Sequence, residues 1–138
     1  MGKRFVISVI AVLAFSTAAT AAATGPYDLK DNMLKLNTYM KAMQAGFIEG
    51  DKKKALQAAE VLGIESEKLF GNEEMMRNKL PKEKAHQARI ATTSAHLISD
   101  NVEIIKSSMD NMRRETAQNA YLDIQRACMR CHNLVRDW

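Results

Sequence analysis

DLKDNMLKLNTYMKAMQAGFIEGD, residues 28–51, is the stretch on which the fold turns. Its apolar side chains Leu29, Met33, Leu36, Met40, Met43 and Phe47 alternate steps of four and three, which places them on one stripe of an α-helix. The spacing predicts a helix from about Asp28 to Glu49 with a single buried seam. Gly50 is a helix stop, and Asp51 offers the side-chain oxygen that caps a following helix.

The same pattern continues outward from this hairpin. A second helix is expected from about Lys52 to Phe70, with Ala55, Leu56, Ala59, Leu62 and Leu69 inward, Gly63 weakening it and Gly71-Asn72 ending it. Residues 73–80 read as a loop or short helical turn with Met75 and Met76 tucked beneath it. Pro81 then suits the first turn of a third helix. Ile90, Leu97, Ile98, Val102, Ile105 and Met109 mark its inner face, and it fades at Asp110-Asn111. A last helix carries Ala117, Tyr121, Ile124, Cys128, Cys131 and Val135, so both cysteines are expected to face inward. Short connections at 50–51 and 110–112 favour antiparallel neighbours. The expectation is an all-α domain, an antiparallel up-down-up-down four-helix bundle. The length of 138 residues fits one core, and the two prolines, Pro26 and Pro81, leave the helices uninterrupted.

Residues 1–23 read differently. Lys3 and Arg4 precede an apolar run from Phe5 to Phe15, and Ala21-Ala22-Ala23 supplies the small residues of a signal-peptidase site. The run is too short to span a bilayer comfortably. A cleavable signal peptide over 1–23 and a mature domain over 24–138 are expected, hence an exported, periplasmic protein that leaves the membrane once the signal is removed. The formal net charge of +4 includes Lys3 and Arg4, so the mature chain carries half of it. That is too little to imply nucleic acid as a partner, and Lys52-Lys53-Lys54 reads as a solvated helix start.

The sequence holds two cysteines, Cys128 and Cys131. A disulfide between them would close a very small loop and constrain the unfolded chain little. Cys128-Met129-Arg130-Cys131-His132 is instead the Cys-x-x-Cys-His pattern of haem attachment. The two thiols add across the haem vinyl groups as thioethers, and the histidine that follows turns its imidazole to the iron. A zinc site would need His86 and His96 to complete it. A reactive dithiol would sit at a helix N-terminus, whereas this pair lies in the last turns of a helix.

With that motif at the end of a helical bundle and behind a signal peptide, the chain resembles the class II cytochromes c, the family of cytochrome c′ and its low-spin relatives. The likeness covers essentially the whole mature chain, and Arg136 matches the basic residue these proteins carry just after the motif. It implies one covalently attached haem c at the end where helix one begins and helix four ends, with His132 as proximal iron ligand and Arg136 near the proximal haem side. Bundle geometry limits the opposite iron face to residues 28–36 or 82–90. Met33 lies in the first window on the inward stripe. The resemblance points to the same position, which holds Met in low-spin members and an apolar residue in five-coordinate ones.

His86 is the rival ligand, and an open sixth position is the third outcome. Met40 and Met43 are expected as plain core, and His96 as structural. Five-coordinate members often carry an Arg near the start of the first helix that pairs a haem propionate; the corresponding place here is Leu29 or Lys30. Met33 ligation implies an electron carrier that works with redox partner proteins and is not itself an enzyme. An open position implies a protein that binds NO or CO. The chain is expected to be a monomer or a homodimer.

Overall fold

The computed structural model describes residues 29–135. The expected signal peptide, Asp28 at the expected start of the first helix, and Arg136 lie outside the described residues, as does the side chain of Val135. Among the described residues all regular structure is helical: α1 (Leu29–Glu49), α2 (Lys52–Phe70), α3 (Glu73–Lys79), a 3-10 helix (Lys82–Gln87), α4 (Ala88–Asp110) and α5 (Arg114–Val135). The domain is all-α.

The connections follow from local chemistry. Gly50 adopts a positive φ of 74°, a conformation that costs glycine little and other residues more. The chain thereby turns out of α1, and the Asp51 carboxylate accepts from the Lys54 backbone N–H at 2.9 Å to cap α2. Asn72 caps α3 in the same way, accepting from Met75 N–H at 2.8 Å. Close packing fixes the α1–α2 hairpin. A Cβ placed on Gly46 would lie 2.6 Å from the Ala55 backbone nitrogen, so the two helices touch backbone to backbone there. From this hairpin α2 packs on α4, and α4 on α5. Lys52 and Asp110 meet at 3.1 Å, while Gly63 stands against Val102. α2 and α4 therefore run in opposite directions.

Side chains from every long helix fill the centre. Met43, Leu62, Ile105 and Ile124 are fully buried, and alanines such as Ala55, Ala59, Ala95, Ala120 and Ala127 let the helices approach. Each large apolar side chain so buried contributes about 1.5–3 kcal/mol. α3 packs on α4, and Met76 and Leu80 are buried in the same core.

Two expectations require correction. The third helix does not start at Pro81. Lys84 N–H bonds back to the Pro81 carbonyl at 2.8 Å, a tight i→i+3 pattern, and the α-helix begins only at Ala88. Pro81 instead stands just before the 3-10 turn, with an extended ψ of 147°. Leu97, expected inward, is 37% exposed, because the buried stripe of α4 runs through Ala91, Ala95, Ile98, Val102 and Ile105 and leaves Leu97 about 100° off it.

α1 and α5 face each other without the close backbone packing of the other neighbours. Toward the end of α1 the rings of Phe47 and Tyr121 bridge them, with centroids 5.7 Å apart. Toward the start of α1 they part.

Candidate functional site

The inner face of α5 is built on Ala117, Ala120, Ile124 and Ala127, all buried. One turn beyond Ile124 this stripe reaches Cys128, and three residues later Cys131; both pack against the core and no disulfide joins them. Burial pushes the Cys128 thiol up to about 11, with Cys131 adding to the effect. The Tyr121 hydroxyl is raised as well, first by burial and then by Cys128.

Where α1 and α5 part, a cavity of about 640 Å³ opens. Met33, Leu36 and Met40 of α1 form one wall, and Tyr121, Cys128, Cys131 and His132 of α5 face them. Phe70 from the end of α2 and Ala91, Ser94, Ala95 and Ile98 from the first half of α4 line the remainder. The early part of α1, the end of α2, the first half of α4 and the last half of α5 thus surround one space. Lys30 and Lys41 are the lysines that line it, and among the described residues no carboxylate does.

The sequence candidates divide sharply. Cys128, Cys131, His132 and Met33 line the same cavity. His86 is exposed on the 3-10 helix and does not line it. His96 is also exposed, with its ring nitrogen 3.3 Å from the Gly71 carbonyl oxygen and 3.7 Å from Glu67. Met40, expected as plain core, lines the cavity, whereas Met43 is fully buried. Sequence reasoning missed Ser94. Its signal was a hydroxyl at an inward register of α4, one turn before Ile98.

Comparison of the chain with protein-family models, curated proteins and solved structures finds no match. The site must be read from its own chemistry. A thiol–disulfide exchange centre needs a thiolate near neutral pH, and Cys128 is shifted the opposite way. Among the described residues no three His, Cys, Asp or Glu side chains are grouped to hold a metal ion, which leaves a protein-only zinc cage without a donor set.

A haem fits better. The cavity volume lies within the roughly 300–1,000 Å³ of ligand pockets, and its walls are mainly apolar. Two sulfurs and an imidazole stand on one wall, with a thioether on the other.

Proposed function

We propose that the chain is an exported electron-transfer cytochrome of the class II type, an antiparallel four-helix bundle carrying one haem c. Cys128 and Cys131 would hold it through thioethers, His132 would bind the iron, and Met33 would supply the sixth ligand. The observation that carries this reading is the presence of Met33 in the same cavity as Cys128, Cys131 and His132. A haem with one nitrogen and one thioether axial ligand exchanges single electrons at a raised potential.

The remaining work belongs to the chain. Leu36, Met40, Phe70 and Ala95 would lay apolar surface against the haem, lowering the local dielectric. His132 and Met33 come from two different helices, α5 and α1. With both axial positions filled by protein, no position is left open for a substrate, so the protein would hand electrons to partner proteins and not act as an enzyme. The motif, the signal-like pattern of residues 1–23 and the resemblance of residues 24–138 to that family support a periplasmic setting.

Mass spectrometry of the mature chain, exported in cells with haem-maturation machinery, tests the reading. One covalently added haem is expected, and its absence would falsify the proposal. Optical spectra then distinguish the ligand sets. The long-wavelength ferric band of iron–methionine ligation is expected. A high-spin spectrum that responds to CO without denaturant favours the second reading, a five-coordinate protein binding NO or CO, for which the apolar wall around Met33 is also suited.

A further inference from the structure

Four buried side-chain oxygens have no hydrogen-bond partner among the described residues, on Gln87, Thr92, Ser94 and Ser108. Of these residues, Ser94 alone lines the cavity between α1 and α5, and it is 4% exposed. Burying a hydroxyl without a partner costs about 1–3 kcal/mol, so such groups in folded proteins are ordinarily satisfied. The neighbours of Ser94 along this face of α4, Ala91, Ala95 and Ile98, offer no polar side chain. Replacement of the hydroxyl by a methyl group would leave the helix intact, because alanine is the better helix former. Helix formation does not call for a serine at this position.

The Ser94 Oγ is shielded from solvent by the protein alone, so water does not supply its missing partner. If the cavity takes haem, as proposed above, a rotation about the Cα–Cβ bond toward the cavity that Ser94 lines would bring the hydroxyl to it. The porphyrin nitrogens are occupied by iron, so the acceptors that haem brings on its periphery are the oxygens of its two carboxylates. We propose that the Ser94 hydroxyl donates a hydrogen bond to one haem carboxylate, turning that group into the protein and setting the orientation of the ring. Ser94 is then a cofactor-binding residue on α4, a helix that contributes none of the expected covalent or axial ligands. The other carboxylate is left to the rim, where Lys30 and Lys41 stand.

The test uses the haem-loaded protein, its Ser94→Ala and Ser94→Thr variants, and Ser108→Ala as a control, since Ser108 is equally buried but does not line the cavity. Resonance Raman spectra report the bending mode of the haem carboxylates. Ser94→Ala is expected to shift that band, Ser94→Thr to restore it, and Ser108→Ala to leave it in place. Thermal unfolding of the haem-loaded chain gives a second readout: Tm falls for Ser94→Ala, because a hydrogen bond is lost. An unchanged band in Ser94→Ala, or a Tm that rises because an unpartnered hydroxyl was removed, overturns the assignment. Absence of covalently bound haem from the wild-type mass spectrum is a different failure: it removes the haem reading itself, whereas bound haem with an indifferent Ser94 removes this inference alone.

Discussion

At the residue scale, the two walls of the cavity present different kinds of sulfur. The thioether of Met33 has no proton to lose, while the Cys128 thiol is pushed up to about 11 by burial and by Cys131. In the haem-free chain Cys128 is therefore expected to react slowly with iodoacetamide at neutral pH, accelerating only as pH nears 11; rapid labelling at pH 7 would contradict this burial. The linkage has a definite sign. The folded state holds the thiol proton from about 9, the unperturbed value, up to about 11, whereas the unfolded state has released it. The stability contribution is present below pH 9 and is lost as pH rises through 11. If Cys128 holds haem as proposed, this dependence would disappear, because a thioether sulfur does not titrate. For Met33→Ala we expect conversion of the low-spin ferric spectrum to high-spin and a lower reduction potential; retention of the low-spin spectrum would exclude Met33. That Cys128, Cys131, His132 and Met33 come together was legible in the sequence, three of them as a contiguous pattern and Met33 from its place on a helical stripe. Ser94 was legible only in part: its inward register, one turn before Ile98, can be read from the spacing, but the cavity that it lines cannot.

At the element scale, the hairpin of α1 and α2 is the tightest joint. Gly46 admits no Cβ without displacing the Ala55 backbone. Gly46→Ala is expected to destabilise by about 1–3 kcal/mol, the usual range for overpacking, and urea unfolding of the variant measures it. Asp51→Ala removes the oxygen that caps α2 and is expected to cost about 1 kcal/mol by the same assay. Helices with a sustained stripe were readable to within a residue or so, as α1 and α2 demonstrate. The segment around Pro81 was less so, since proline suits an α-helical first turn and a 3-10 turn equally well and tertiary packing chooses between them. Leu97 misled for a related reason. The first part of the inner face of α4 carries Ala88, Ala91 and Ala95, whose small side chains weaken the apolar signal and make an off-stripe leucine conspicuous.

At the scale of the whole molecule, three of the four long-helix junctions are made by direct packing, and the fourth, between α1 and α5, holds the cavity. A domain with a gap on this scale is expected to rely on what fills it. Cys128→Ser combined with Cys131→Ser, which prevents attachment, should lower Tm by several degrees and broaden the transition relative to the haem-loaded protein, measured by circular dichroism; equal Tm values would mean that the gap closes by itself. The cavity walls have a kinetic consequence as well. Met33 and His132 lie about a hundred residues apart, whereas the Gly46–Ala55 contact spans fewer than ten. Hairpins assemble early because little chain entropy is lost in closing them, and the most distant pairing forms last. A newly made polypeptide would thus present its cysteines on an open trough before the first helix swings across, leaving a time window in which a planar prosthetic group can be laid in from the side.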